Sequence, residues 1–428
     1  MLQVAQDGLP RDIELGYLNP NDDQTDEAPW IVEKKPSVYD WPDDFLEFIT
    51  DLENQFSKKD RSQKLAGKEA VILIGVGLGH KQETVASLDE LKRLAQTADL
   101  HVISSEIQMR KKVDGKFVVG KGKLQDLLIK AMYYKADGLI FDQELSPSQL
   151  RNIALATNLK VIDRSQLILD IFAKRAQTKE GKLQVEIAQL RYRKPRLKIM
   201  PTAMSRLTGG IGGRGPGETK LEINRRLADD RLLRLEKNLK SQAKSRETRR
   251  KQRKRNQVPQ VSLVGYTNAG KSTLLNRITH SKVDAEDKLF ATLDPTSRRF
   301  RFPLDKEIIL TDTVGFIRNL PRELMEAFRS TFEETLEADL ILHVADAGDS
   351  ELETHLHAVN KTLKDLDADE IPRLLIMNKI DTIDEAQRNF LALEHEALFC
   401  SAETGENLRE VMDTIEHKLF HVRKGLQT

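Results

Sequence analysis

Residues 259–278 decide the fold of the C-terminal part of this chain, and they read PQVSLVGYTNAGKSTLLNRI. The apolar run Val261–Val264 predicts a buried strand, and Thr273–Ile278 predicts an amphipathic helix. Between them lies G-x-x-x-x-G-K-S, whose backbone N–H groups wrap a phosphate in this strand–loop–helix context. Lys271 is predicted to reach the β- and γ-phosphate oxygens, and Ser272 to ligate Mg²⁺. The predicted nucleotide-binding residues of this loop are Gly265, Tyr266, Thr267, Asn268, Ala269, Gly270, Lys271 and Ser272.

Two later segments carry groups that would face the metal ion and the terminal phosphate. The short apolar strand Ile308–Thr311 runs into an Asp-x-x-Gly motif, in which Asp312 would hold a Mg²⁺-bound water and the Gly315 N–H would contact the γ-phosphate. Thr292 follows Ser272 by twenty residues and is predicted to complete the Mg²⁺ shell, with Thr296 the less suitable candidate. The nucleotide-binding prediction therefore extends to Phe290, Ala291, Thr292, Leu293, Asp294, Asp312, Thr313, Val314 and Gly315.

The last two motifs select the base. Asp381, which follows the buried strand Leu374–Met377, can accept from the guanine N1–H and 2-amino group, and adenine lacks that donor pair. The Ala402 N–H is predicted to donate to guanine O6. The residues of these motifs are Asn378, which would tie this loop to the phosphate loop, Lys379, whose stem would pack along the base, Ile380, Asp381, Ser401, Ala402 and Glu403. Five motifs in the correct order predict a P-loop domain of the Ras-like type that binds GTP.

Hydrolysis is a separate question, because the position that often holds a water-orienting glutamine is Phe316 here. The residues predicted to act in catalysis are Lys271, Thr292, Gly315 and Asn268. Asn268 either holds a K⁺ ion beside the β- and γ-phosphates or braces the loop, and the sequence leaves both readings open. The predicted cofactor is Mg²⁺, with K⁺ undecided.

Composition and charge exclude several classes of protein. Hydrophobic residues make up 39% of the 428 residues and charged residues 32%, and the longest uncharged apolar run is too short to span a membrane. The single cysteine, Cys400, excludes an internal disulfide. The net charge of +1 conceals a segregation, because residues 182–255 hold 23 basic and 7 acidic residues. This basic excess favours a polyanion partner. The lone cysteine and the lack of a long apolar run lead us to expect a cytoplasmic protein.

The pattern along the chain predicts four parts. Residues 1–66 form an acidic, partly disordered extension with one short helix around Phe45–Leu52. Residues 67–164 alternate strands with helices, which predicts a parallel-sheet α/β domain. Residues 165–256 form a basic antiparallel helical hairpin, and residues 257–428 form the GTPase domain. Within the α/β domain, two glycine clusters at 75–79 and 120–123 are read as tight turns rather than phosphate sites.

The hairpin is predicted from two long helical stretches, 165–200 and 218–256, with a glycine-rich loop at 208–217 between them. Six glycines and a proline in that loop exclude a helix there. Glycines would let the backbone approach RNA closely, and an arginine could stack on an unpaired base. The predicted rRNA contacts are Arg214, Gly212, Gly213 and Gly215.

Together these motifs resemble the HflX family of bacterial GTPases, and the resemblance covers roughly residues 70–420. It is carried by GGIGGRGPGET (209–219), GYTNAGKS (265–272), FATLDPT (290–296) and DTVGFIR (312–318). It implies a GTPase that binds the large (50S) ribosomal subunit and, in several members, splits stalled or idle ribosomes. It also implies that the hairpin reaches towards the peptidyl-transferase centre. Some members hydrolyse ATP through the N-terminal domain, which the glycine clusters leave open.

We therefore expect a monomeric, ribosome-associated GTPase with a role in translation under stress or in ribosome biogenesis. No integral membrane association is expected, and peripheral membrane contact is left open. The alternative is a nucleotide-gated rRNA-binding switch whose slow hydrolysis is incidental, and Phe316 favours that reading. The two differ in whether ribosomes accelerate GTP turnover.

Overall fold

The computed structural model describes residues 2–4, 10–18, 30–35, 45–64, 68–197, 225–241, 258–279, 289–290, 296–303, 306–318, 321–328, 332 and 336–421. The chain divides into two compact units, residues 1–163 and 164–428. Within the described ranges, no helix has the length and apolar character needed to cross a bilayer.

The first unit begins with an antiparallel sheet of β1 (Leu2–Val4), β2 (Pro10–Leu18) and β3 (Trp30–Lys35), followed by helix α1 (Phe45–Lys64). The sequence analysis named no strand before residue 45, whereas the described segments there form three. Ile13, Leu15 and Tyr17 stand at every second position of β2, separated by Glu14 and Gly16, which is the period of a half-buried strand. The acidic composition of the segment concealed this alternation. A helix at Phe45–Leu52 is confirmed, although it extends to 20 residues.

A four-stranded parallel sheet forms the core of the first unit. Its elements alternate as β4 (Ala70–Gly77), α2 (Lys81–Thr97), β5 (His101–Met109), α3 (Lys121–Tyr133), β6 (Gly138–Phe141), α4 (Pro147–Thr157) and β7 (Lys160–Asp163). The strand order is β5-β4-β6-β7. β4 is buried along almost its whole length, as a central strand covered on both faces should be. The predicted α/β alternation of this region is confirmed.

Three helices open the second unit: α5 (Arg164–Arg175), α6 (Lys179–Leu197) and α7, residues 225–241. The stretch 165–200, predicted to be helical, contains two helices separated by residues 176–178. Thr178 Oγ1 accepts a hydrogen bond from the Gly181 N–H at 2.9 Å and so caps α6. Three ion pairs join α6 to α7, namely Glu186–Arg231, Arg191–Glu236 and Lys194–Asp229. The predicted glycine-rich tip lies outside the described residues.

The rest of the second unit is a doubly covered, six-stranded sheet. Its elements are β8 (Gln260–Gly265), α8 (Lys271–Thr279), β9 (Thr296–Arg301), β10 (Glu307–Asp312), α9 (Arg322–Ala327), β11 (Leu340–Asp346), α10 (Leu352–Asp365), β12 (Arg373–Asn378), α11 (Glu385–Glu394), β13 (Ala397–Phe399) and α12 (Leu408–Phe420). The strand order is β13-β12-β11-β8-β10-β9, and only β9 runs antiparallel to its neighbour. The carboxyl ends of β8, β10, β12 and β13 meet at one edge, where ligands bind in open α/β sheets.

One apolar cluster packs the helices α8 and α12 against the strands that end at this edge. It joins side chains of the central strands to α8 and α12, and its members are fully or almost fully buried. They include Leu263, Leu274, Leu310, Val344, Ile376 and Ile415. Because the loops that carry the motifs leave strands held in this cluster, their first residues have little freedom to move. The predicted P-loop α/β domain is confirmed.

Candidate nucleotide-binding site

The phosphate loop lies between β8 and α8, where two glycines allow close approaches of the backbone. A Cβ at Gly265 would lie 2.1 Å from the Val344 carbonyl oxygen. Gly270 has φ +88°, and a Cβ there would lie 2.2 Å from Asn378 Nδ2. Side chains are therefore excluded at both positions, which explains why the motif has glycines there. Asn268 is exposed on the same loop with φ +64°.

Lys271, the first residue of α8, is buried beneath the loop. Its ammonium group donates to the carbonyl oxygens of Gly265 at 3.1 Å and Tyr266 at 2.7 Å. Burial lowers the pKa of Lys271 to about 8, and the Asp312 carboxylate acts in the opposite direction. A polyphosphate beside this group would favour its charged form. The ammonium group therefore lies beneath the phosphate loop, where a bound phosphate would add a negatively charged acceptor to its two carbonyl acceptors.

The predicted metal ligands meet at the start of α8 and the end of β10. Ser272 Oγ donates to Asp312 Oδ2 at 2.6 Å, and Asp312 is fully buried. The neighbouring Thr313 Oγ1 donates to the Leu263 carbonyl oxygen at 2.6 Å, which fixes the end of β10 against β8. A hydroxyl and a carboxylate this close form the oxygen donor set that Mg²⁺ prefers. The residues present therefore fit Mg²⁺.

Gly315 and Phe316 lie directly against the phosphate loop. The Phe316 N–H donates to the Gly265 carbonyl oxygen at 3.1 Å, and the Thr267 N–H donates to the Phe316 carbonyl oxygen at 2.8 Å. A Cβ at Gly315 would lie 2.8 Å from Thr267 Cγ2 and 3.1 Å from Lys271 Nζ. The Phe316 side chain is completely buried, with its ring centroid 5.6 Å from that of Phe332. It points into the core, so it cannot orient an attacking water.

Asn378 joins the base-binding loops to the phosphate loop, as the sequence predicts. Its Nδ2 donates to the Ala269 carbonyl oxygen at 2.9 Å, and its Oδ1 accepts from the Ala402 N–H at 2.9 Å. The Ala402 N–H therefore donates to Asn378 in this structure, and its predicted contact with guanine O6 stays a prediction. Ser401, fully buried, accepts from the Thr404 N–H at 3.0 Å and shapes the same turn.

The other base-motif residues lie on short turns after β12 and β13. Asp381 lies in a single 3₁₀ turn, Ile380–Thr382, and is exposed to solvent, whereas its neighbour Ile380 is buried. Lys379 has φ +65°, and its ammonium group pairs with Asp346 Oδ2 at 2.7 Å. This ion pair fixes the lysine stem across the loop, where the sequence predicts that the base packs. Glu403 is exposed.

Several predicted residues cannot be placed in this geometry. Thr292, proposed as both metal ligand and catalytic group, lies outside the described residues with Ala291, Leu293 and Asp294. So do the predicted rRNA contacts Arg214, Gly212, Gly213 and Gly215. Of the predicted switch segment 290–296, Phe290 and Thr296 are described. Thr296 is the first residue of β9 and is paired in register with Asp312 of β10. The other described residue is Phe290. It is buried, and its ring lies 4.6 Å from that of Phe172 on α5.

Sequence reasoning missed two links to this site. The first is Phe172, which contacts Phe290 on one side and, at 5.3 Å between ring centroids, Phe328 beyond α9 on the other. The second is Arg191 of α6, whose guanidinium pairs with Glu236 at 2.8 Å and with Glu326 of α9 at 2.7 Å. Periodicity places Phe172 on an apolar face, but no sequence signal names its partners.

Three family models match the chain between residues 85 and 379. The model for the GTP-binding GTPase N-terminal region matches residues 85–173, and that for the GTP-binding GTPase middle region matches residues 175–253. The model described as 50S ribosome-binding GTPase matches residues 260–379. The chain also resembles a solved GTP-binding protein from Sulfolobus solfataricus in complex with GDP, with 26% identity over 83% of this chain and 99% of that one, at a TM-score of 0.42.

Curated relatives match at higher identity. The GTPase HflX of Lacrimispora saccharolytica is 47% identical over 82% of each chain. That of Caldanaerobacter subterraneus is 46% identical over 82% of this chain and 81% of its own. That of Escherichia coli is 44% identical over 83% of each chain. With these identities and an intact phosphate loop, the chain belongs to the HflX family and is a GTP-binding, GTP-hydrolysing enzyme.

Proposed function

We propose that this GTPase associates with the 50S ribosomal subunit and splits or rescues stalled or idle ribosomes, with a role in translation under stress or in ribosome biogenesis. The observation that carries the proposal is the Arg191 bridge, which connects α6 and α7 to α9. α6 and α7 overlap the segment 182–255 with the large basic excess, and α9 begins seven residues after the Asp-x-x-Gly motif ends at Gly315. The match to a model described as 50S ribosome-binding GTPase supports the same partner.

In this proposal the helices α6 and α7 carry the rRNA-binding loop. Residues 165–256 act as an antiparallel hairpin whose tip residues Arg214, Gly212, Gly213 and Gly215 contact rRNA. Electrostatic attraction between basic side chains and phosphates would dominate the affinity, so binding should weaken steeply as salt rises. The protein acts as a cytoplasmic, ribosome-associated monomer.

Mg²⁺ is the proposed cofactor of hydrolysis. Ser272 and Thr292 would ligate it directly, and Asp312 through a water molecule. When bound, Mg²⁺ neutralises developing charge on the β- and γ-phosphate oxygens. Lys271 binds the same oxygens, the Gly315 N–H orients the γ-phosphate, and Asn378 holds the base-binding loop in register. Asn268 is exposed on the phosphate loop and is the proposed K⁺ ligand, and bracing of the loop is its competing role.

The second candidate function is a nucleotide-gated rRNA-binding switch in which hydrolysis is slow and incidental. The specific observation in its favour is the complete burial of Phe316, which leaves no side chain at that position to orient water. It predicts GTP-dependent binding to 50S without faster turnover.

Sedimentation and light scattering test the proposal together. The full chain should co-sediment with purified 50S subunits in the presence of a non-hydrolysable GTP analogue and much less with GDP. It should also lower the light scattering of vacant 70S ribosomes when GTP is added. A Lys271→Ala variant is the matched control, because it should lose both effects. GTP-dependent binding without 70S dissociation would reduce the function to the switch, and no binding would refute the ribosomal partner.

A further inference from the structure

A cluster of aromatic and charged side chains behind the phosphate loop is not explained by nucleotide binding. It consists of Tyr266 on the loop, Arg318 after the Asp-x-x-Gly motif, and Asp349, Glu351 and His355 at the start of α10. We call it the Tyr266 cluster. Its members come from three separate segments of the same compact unit.

The ring of Tyr266 is held in place by the side chain of His355. It stacks on the imidazole of His355 with 3.7 Å between centroids and an interplanar angle of 14°. His355 Nδ1 lies 2.9 Å from Asp349 Oδ2, so the imidazole is itself anchored to the residues before α10. Tyr266 is only 6% exposed. The phenol oxygen is therefore held at one place rather than sampling several rotamers.

That oxygen accepts a hydrogen bond from the Arg318 backbone N–H at 2.8 Å. The Arg318 guanidinium in turn pairs with Glu351, so this residue is held through both its backbone and its side chain. Two residues earlier, Phe316 exchanges backbone hydrogen bonds with Gly265 and Thr267. The segment 315–318 is thus bonded to the phosphate loop at two points, through the backbone of Phe316 and through the N–H of Arg318. Gly315 is the neighbour of Phe316.

We propose that Tyr266 is a positioning residue for GTP hydrolysis, whose hydroxyl group holds segment 315–318 so that the Gly315 N–H meets the γ-phosphate. The need for such a clamp follows from Phe316. Because its side chain is buried and has no hydrogen-bonding group, residue 316 supplies no side-chain contact to the reacting groups, and the Gly315 N–H is the donor that this segment offers to the γ-phosphate. Preorganised backbone donors act only where their geometry is fixed. The inference concerns hydrolysis by the protein alone and does not depend on the ribosome.

The test is Tyr266→Phe in the full-length protein, which removes the hydroxyl but keeps the ring stacked on His355. Loss of one net hydrogen bond predicts a fall in kcat of about three- to tenfold. The KM for GTP and the affinity for a fluorescent GDP should stay within about twofold, because the loop backbone and Lys271 are untouched. Tyr134→Phe, the same change on a half-buried residue outside the cluster, is the matched control and should leave kcat unchanged.

The fall in kcat at unchanged KM and GDP affinity is the readout that a purely structural role would not give, and limited proteolysis reports directly whether segment 315–318 has loosened. With a non-hydrolysable GTP analogue bound, trypsin should cleave after Arg318 faster in Tyr266→Phe than in wild type. His355→Ala, which removes the stacking partner, should have the same two effects and serves if Tyr266→Phe folds poorly. An unchanged kcat would overturn the proposal. So would a loss of GDP affinity as large as the loss of kcat, because the phenol would then serve the folding of the loop.

Discussion

Replacing Asn378 with alanine tests how the nucleotide site is held together. Asn378 is 1% exposed, and its amide bridges the Ala269 carbonyl oxygen and the Ala402 N–H, each at 2.9 Å. Asn378→Ala leaves both backbone groups buried without this partner. Each such group costs about 1–3 kcal/mol. A water molecule can enter the space left by the amide, so we expect the lower part of the summed range, about 2–3 kcal/mol.

The assay is denaturant unfolding of the nucleotide-free protein together with the affinity for a fluorescent GDP. Asn378→Ala should lower the free energy of unfolding by that amount and weaken GDP binding at least tenfold. Asn378→Asp keeps the acceptor for Ala402 but places a carboxylate against the Ala269 carbonyl, so it should not rescue binding. Asn360→Ala is the matched control, because Asn360 bonds Arg373 at the surface and should change stability by less than about 0.5 kcal/mol. Equal stability and affinity in Asn378→Ala and wild type would refute the bridge.

Three further predictions follow from groups elsewhere in the chain. Glu106 is desolvated by burial, but hydrogen bonds from Lys123, Lys130 and Ser104 outweigh this and lower its pKa to about 2. Its ion pairs therefore stabilise the fold above pH 4.5 and lose that effect as the pH falls towards 2. The free energy of unfolding, measured from pH 5 to pH 2, should fall by about 3 kcal/mol less in Glu106→Gln than in wild type. Arg191→Ala should reduce 50S-stimulated turnover at least threefold and leave basal turnover unchanged, whereas Arg231→Ala, which breaks only the pair with Glu186, should spare both; equal stimulation in the two variants would contradict the bridge. Burial raises the pKa of Cys400 to about 12, so a thiol reagent at pH 8 should label it only after denaturation, and rapid labelling of the native protein would contradict its burial.

The sequence predicted the P-loop domain closely because its determinants are local. Val261–Val264 and Leu374–Met377 are apolar runs bounded by motif residues, and the structure extends each by only one or two residues. The motif itself names Gly265 and Gly270, although the groups that exclude a side chain there, the Val344 carbonyl and the Asn378 amide, come from other strands. The link from Asn378 to the phosphate loop was also predictable, because the order of the motifs implies that both loops meet at one sheet edge.

Other features depend on contacts between distant segments and were not predictable. Nothing local to Phe172 or Arg191 identifies Phe290 or Glu326 as a partner. The engagement of the Ala402 N–H by Asn378 is a matter of tertiary geometry. The break at 176–178 had a weak signal, since Thr178 is a suitable capping residue. The strands β2 and β3 were concealed because net charge outweighed a short alternation in the reading of residues 1–66.

The most direct test of the account is GTP turnover with and without purified 50S subunits, measured first in K⁺ and then in Na⁺ buffer. The account predicts that 50S accelerates turnover by at least tenfold in K⁺ and that the wild-type acceleration is absent in Lys271→Ala. Loss of acceleration in Na⁺ would assign the ion to Asn268, and its retention would leave Asn268 as a brace. Unchanged turnover in both buffers, despite GTP-dependent binding to 50S, would contradict a ribosome-coupled enzyme and establish the passive switch.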